Sequence, residues 1–189
     1  MARNLQDHIL NTAADLFYSQ GIKTTGIDNI VKVSGVAKMS LYKYFPSKDA
    51  LVLAYLHKSG AALLASVQQG LQARAGTPEQ KLLAVFDVFA EVLANPNFRG
   101  CPFINATAEY ADETHPIQQA VADFYFSVTQ LLADLARQTS MATPEELAKQ
   151  LVVLLSGAIV IEQIQKQGQA MRTAYTAAEI LIKNSLAVS

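Results

Sequence analysis

Thr24-Thr25-Gly26-Ile27-Asp28-Asn29-Ile30-Val31-Lys32-Val33-Ser34-Gly35-Val36-Ala37-Lys38-Met39-Ser40-Leu41-Tyr42-Lys43-Tyr44-Phe45-Pro46-Ser47-Lys48 is the stretch from which the rest of the chain can be read. Thr25, followed three positions later by Asp28, forms a capping-box pattern, and it opens the apolar set Ile27, Ile30, Val31 and Val33 that Gly35 stops. After Gly35-Val36-Ala37 a second short helix runs through Ser40, Leu41, Tyr42, Lys43 and Tyr44, and Pro46 prevents its continuation. Ser47 then caps a long helix that extends to about Arg74, with Gly60 and Gly70 as weak points within it.

Upstream, Leu5, Ile9, Ala13, Leu16 and Phe17 recur every three to four residues with Asp7, Asn11, Asp15 and Ser19 between them, until Gly21 ends the pattern. Downstream, Thr77-Pro78-Glu79-Gln80 and Thr143-Pro144-Glu145-Glu146 each join an N-cap, a first-turn proline and a capping-box partner. Pro102 and Pro116 begin two further helices, and Gly168 separates an apolar eighth helix from a last one ending near Leu186. No period-two alternation with turn dipeptides argues for a sheet. The fold class expected is therefore all-α, with about nine helices.

Charge is unevenly placed on a chain of 189 residues whose formal net charge is −1. Up to Lys58 there are seven bases (Arg3, Lys23, Lys32, Lys38, Lys43, Lys48, Lys58) against four acids (Asp7, Asp15, Asp28, Asp49); after it, eight bases against twelve acids. A basic N-terminal part on an acidic body is the asymmetry expected if only one end meets phosphate. The single cysteine, Cys101, excludes an intramolecular disulfide and a site of clustered thiolates, and it fits a reducing compartment. The N-terminus has no apolar core of the kind a secretory signal carries, and the most apolar run, Leu151 to Ile161, is too short to span a bilayer. A cytoplasmic location and no membrane partner are expected.

Two short helices joined by a glycine-containing turn and braced by an amphipathic helix form the helix-turn-helix arrangement, in which the last short helix enters the major groove of double-stranded DNA. Here Ile30, Val31, Val36 and Leu41 pack inward, with Phe45 in the core, and Lys38, Met39, Ser40, Tyr42, Lys43 and Tyr44 lie along the outer edge. Lysines neutralise phosphates, and Ser and Tyr hydroxyls bond phosphate oxygens or base edges. Lone lysines such as Lys23 and Lys32 read as solvated surface.

Val33-Ser34-Gly35-Val36-Ala37-Lys38-Met39-Ser40-Leu41-Tyr42-Lys43-Tyr44-Phe45-Pro46-Ser47-Lys48-Asp49-Ala50-Leu51 resembles the DNA-binding signature of the TetR family of repressors. The Ser-Gly-Val turn, Leu-Tyr-x-Tyr-Phe and Ser-Lys-Asp-Ala-Leu carry the likeness, which covers about the first quarter of the chain. It implies that Thr24 or Thr25 and Lys48 approach the DNA backbone, that Tyr42 and Tyr44 contact backbone or base, and that Lys38, Met39, Ser40 and Lys43 supply most of the reading. Met39 departs from the small residue common there; a thioether offers apolar contact to a thymine methyl but no bidentate code.

The C-terminal part lacks the arrangements that catalysis needs: His8, His57 and His115 are scattered, and neither a phosphate-cradling glycine loop nor a nucleophile elbow occurs. No enzyme activity, metal or cofactor is expected. Its aromatics pack a bundle core, and the resemblance implies an effector pocket among them, with Phe86, Phe89, Cys101, Phe103, Tyr110 and Phe124 as candidate contacts. Cys101 sits before a helix start with Arg99 nearby, which favours thiolate; Gly100-Cys101 resembles a glycine-cysteine element of a subset of TetR-like repressors, some of which react with electrophiles. A small apolar cap residue is the other reading of the same cysteine.

Leu151, Leu154, Leu155, Ala158 and Ile159 with Ala174, Ala178, Leu181 and Ile182 offer a four-helix interface to a second copy, and the resemblance implies the same homodimer. The expected division is a DNA-binding domain over 1–46 and an effector-binding and dimerisation domain over 47–189. The expected activity is repression from a palindromic operator, relieved by a small lipophilic, aromatic or electrophilic effector that moves the fourth helix. An enzyme with its site among the aromatics and a purely structural helical module are the rival readings, which competitive DNA binding separates.

Overall fold

A computed structural model describes residues 2–187. Among them are nine α-helices and no strand: α1 (Ala2–Gln20), α2 (Ile27–Ser34), α3 (Lys38–Tyr44), α4 (Lys48–Gln72), α5 (Pro78–Leu93), α6 (Pro102–Glu109), α7 (Pro116–Ala136), α8 (Pro144–Gln165) and α9 (Ala170–Ala187). The all-α expectation holds, and the punctuation explains most boundaries. Gly35 ends α2 at φ 69°, with its N–H on the Val31 carbonyl. Thr77 caps α5 through both capping-box bonds, Gln80 N to Thr77 Oγ1 at 3.4 Å and Thr77 N to Gln80 Oε1 at 2.9 Å. Ser47 Oγ accepts from Ala50 N at 3.0 Å, and α4 continues through both of its inner glycines.

Two boundaries arise differently from the reading above. α2 begins after Gly26 with no side-chain cap, because Thr25 turns its hydroxyl back toward α1 instead of forward to Asp28. α8 begins after Thr143 with no side-chain cap: Thr143 stands at φ −131° and ψ 65°, outside the extended region of a capping residue, and Glu146, three residues on, lies 3.6 Å from Lys149 Nζ.

The chain forms two compact units: residues 1–61 with 102–123, and 62–101 with 124–189. In the first, α1, α2 and α3 pack on one another around Ile9, Ala13, Leu16, Ile30 and Leu41, all buried. Phe103 and Ala106 of α6 and Ile117 of α7 are buried in the same unit. Burying Leu41 completely is worth roughly 2 kcal/mol, and it is this side chain that seats α3 against its neighbours.

In the second unit α8 packs along α9, and α5 packs against both. Leu82, Phe86, Leu151, Ala178 and Ile182 lie at its centre. The intended interface residues are mostly inside it: Leu151, Leu155, Ala158, Ile159, Ala174, Ala178 and Ile182 are buried within one chain, and Leu154 and Leu181 are half-buried. The apolar side chains left outside are Val153, Ile161 and Ile164 on α8, with Gly157 between them, and Ile180 on α9. The sequence pattern identified the helices; their rotation places a different row outward. By length and composition α4 (mean hydropathy 1.4) and α8 (1.6) also meet the demands of a bilayer crossing, beyond the eleven-residue run considered above, and a third or more of each such window is buried within the protein.

Candidate nucleic-acid interface

The outer edge of α3 is largely exposed. Met39 is 86% exposed and Tyr42 is 42% exposed; Lys38 and Lys43 are exposed, and Ser40 and Tyr44 are half-buried. Leu41 and Phe45, four residues apart on the opposite side, are buried and hold the edge outward. A seven-residue helix has little stability of its own, so this packing keeps it formed.

Around that edge several expected contacts are already engaged. Lys38 Nζ lies 2.7 Å from Asp28 Oδ1, and this carboxylate holds the ammonium above its ordinary pKa. Thr25 is fully buried, and its hydroxyl donates to the Gly21 carbonyl at 2.7 Å and the Leu16 carbonyl at 3.3 Å. Thr24 is exposed, but its hydroxyl donates to the Gln20 and Gly21 carbonyls. Both threonines therefore close the C-terminus of α1, where the last carbonyls lack helical partners. Lys48 Nζ donates to the Lys23 carbonyl at 3.4 Å, and partial burial lowers its pKa. His8 Nε2 lies 2.9 Å from the Ser34 carbonyl, tying α1 to the end of α2 just before the Gly35 turn.

The six candidate effector contacts are divided between the two compact units. Phe103 and Tyr110 belong to the first compact unit; Phe86, Phe89, Cys101 and Phe124 belong to the second and are buried there. Tyr110 is half-buried with its hydroxyl 3.3 Å from Asp49 Oδ1, and desolvation and that carboxylate push its pKa up to about 12. Cys101 is 7% exposed and neighbours the Tyr125 hydroxyl, whose pKa burial pushes up to about 12 and which also bonds Ser156. Of the six, Tyr110 lines a hollow with Thr107 and Gln118, and Phe86 lines a separate cavity of about 350 Å³ bounded by α5, α8 and α9, together with Asp87, Glu162, Met171, Arg172 and Tyr175. Glu162 is buried there, its carboxylate accepting from Gly168 N at 2.6 Å and Ala170 N at 3.3 Å. Among the described residues no group of three or more His, Cys, Asp and Glu side chains is placed to hold a metal.

Sequence reasoning passed over Asp28 and Glu109 as partners in this region. Asp28 stands ten residues from the lysine it pairs with, and Glu109 is more than eighty residues from the backbone it engages. Neither separation has a local sequence signature.

The family model for bacterial regulatory proteins of the tetR family matches residues 9–55, and the model for the tetracyclin repressor-like C-terminal domain matches residues 78–178. The chain belongs to the TetR family. Among solved structures, a TetR-family transcriptional regulator of Streptomyces coelicolor, SCO4454, superposes with a TM-score of 0.90 at 28% identity, over 96% of each chain. The reduced form of Escherichia coli NemR has the same fold, with a TM-score of 0.84 at 23% identity over 94% of this chain and 96% of that one. Among curated proteins, the transcriptional regulator YjdC of Escherichia coli is 25% identical over 94% of this chain and 93% of its own length. The transcriptional repressor NemR of that species is 26% identical over 61% of this chain and 59% of its own. This TetR-family chain is thus a helix-turn-helix transcriptional regulator, and its relatives are named as regulators, not as enzymes.

Proposed function

We propose that this TetR-family regulator is a cytoplasmic one-component repressor that binds a palindromic operator as a homodimer and is released by a small lipophilic, aromatic or electrophilic effector. The observation carrying the DNA-binding part is the outward edge of α3, where Met39, Tyr42 and Lys43 are exposed on a helix anchored by Leu41 and Phe45. Lys43 supplies charge to phosphate, Tyr42 a hydroxyl, and Met39 an apolar surface for a thymine methyl. Thr24, Thr25, Ser40, Tyr44 and Lys48 frame that edge, and with their side-chain groups partly engaged, the main chain of the α2 and α4 starts is the natural phosphate partner. Residues 1–46 carry recognition, and residues 47–189 carry sensing and pairing.

Pairing through α8 and α9 is supported by the exposed row Val153, Gly157, Ile161 and Ile164 with Ile180, apolar surface that a second copy would cover. Two heads are needed for half-sites about one helical turn apart. For the effector, the α5–α8–α9 cavity offers an apolar floor, and Cys101 offers a thiol for electrophiles. The test is fluorescence anisotropy on DNA from the gene's own upstream region, with excess nonspecific duplex. Tight, salt-dependent binding by the wild type, lost in Tyr42→Ala, is expected. Equal weak binding by both proteins, there and on DNA selected from random pools, would overturn the reading. Cys101→Ser decides the electrophile arm: release by electrophiles should disappear in that variant while release by unreactive aromatics persists.

A further inference from the structure

The turn from α1 into α2 leaves main-chain donors that its own helix does not satisfy. Gly21 adopts φ +94°, which takes Ile22 and Lys23 out of the α1 ladder. Both N–H groups donate to a single carboxylate at the last residue of α6: Ile22 N to Glu109 Oε1 at 2.9 Å, and Lys23 N to Glu109 Oε2 at 2.5 Å. Ile22 is 2% exposed, so loss of that acceptor would strand a donor in a buried setting. With Thr24 and Thr25 already on the carbonyls of the same turn, Glu109 completes its hydrogen bonding.

The next residues reinforce this hold. Tyr110 donates to Asp49 in the first turn of α4, His115 Nε2 lies 3.5 Å from the other Asp49 oxygen, and the Tyr110 and His115 rings lie 4.7 Å apart, tilted at 43° to each other. Lys23 Nζ sits 5.7 Å over the Tyr110 ring, and Lys48 at the start of α4 reaches the Lys23 carbonyl. The α6–α7 joint therefore grips both the turn that launches α2 and the turn that launches α4, in agreement with residues 102–123 clustering with residues 1–61.

We infer that Glu109 is a positioning residue for DNA binding: its carboxylate fixes where α2 starts, and through α2 the placement of α3, without itself meeting DNA. This rests on the operator-binding reading. The inference and simple electrostatics give opposite signs. Removing a negative charge near a phosphate-binding surface should strengthen binding to any duplex, whereas removing a positioning contact should weaken binding to the operator alone.

The experiment measures the affinity of full-length wild type, Glu109→Ala, Glu109→Gln and the exposed control Glu113→Ala for the operator and for a random duplex. Peptide-level hydrogen exchange over residues 21–25 is recorded alongside. Glu109→Ala should lose about tenfold or more in operator affinity, keep or slightly raise random-duplex affinity, and exchange faster in the turn. Glu109→Gln, which keeps one acceptor oxygen, should fall between, and Glu113→Ala should match wild type. Wild-type or increased operator affinity in both Glu109 variants overturns the inference, as does a parallel loss on both duplexes, which would mark a structural role only. A wild type without operator selectivity would instead bring down the operator-binding reading, and this inference with it.

Discussion

Lys38 illustrates how a side chain selected by its position can be occupied in the folded protein. Its ammonium is paired with Asp28 across the α2–α3 corner, at a site open to solvent on both sides. Exposed pairs of this kind are weak and salt-screened, so DNA competes for the lysine. Asp28→Asn should tighten binding to random duplex about two- to threefold at low salt, with the gain vanishing at high salt and the operator-to-random ratio falling; anisotropy across a salt series measures it. The tyrosines give a pH prediction of definite sign. Tyr110 and Tyr125 are neutral in the fold up to about pH 12, against an ordinary value of 10. Below pH 10 both folded and unfolded chains keep the proton, and the stabilisation is full. Between pH 10 and 12 the unfolded chain ionises first, so stability declines. Urea titrations should show that decline, and Tyr125→Phe should reduce the loss accumulated over the interval by about 1 kcal/mol after solvent screening.

Among the elements, those with strong punctuation were legible and those joined at long range were not. Thr77-Pro78-Glu79-Gln80 makes both bonds of its box, and Thr77→Ala should cost about 1 kcal/mol in urea unfolding. Gly35 was readable because a helix stop and a left-handed φ coincide in one residue. Thr25 misled, since a threonine between two helices can cap forward or close backward, and the buried carbonyls of α1 win it. Gly70 was visible only as a weak point in α4, whereas the fold gives it a purpose. A Cβ there would overlap Val88 Cγ2, so the glycine lets α5 approach α4. Gly70→Ala should therefore destabilise by about 1–3 kcal/mol although alanine is the better helix former, a reversal that a denaturant midpoint reads directly. Of the interface, α2 and α3 were legible from local patterns; the Glu109 contact was not, because no periodicity links α6 to the turn after α1.

At the scale of the whole molecule, the pairing face and the sensing equilibrium are coupled predictions. Replacing both Val153 and Ile161, exposed at 70% and 42%, with arginine should give monomers by light scattering while circular dichroism is unchanged. Operator affinity should then fall by more than tenfold, since each head alone reads only half a site. Any effector that releases DNA must bind the DNA-free shape more tightly, so saturating operator must weaken effector binding by the same factor. One buried atom offers a different kind of access to the protein's behaviour. Cys101 carries the sole sulfhydryl of the chain and is 7% exposed. A bulky maleimide added to the native protein can react only in the moments when the end of the α5–α6 connection opens, so its labelling rate is a clock for that opening. One dye per chain, with no engineered cysteine, would time how often this part of the fold breathes and whether a bound duplex quiets it.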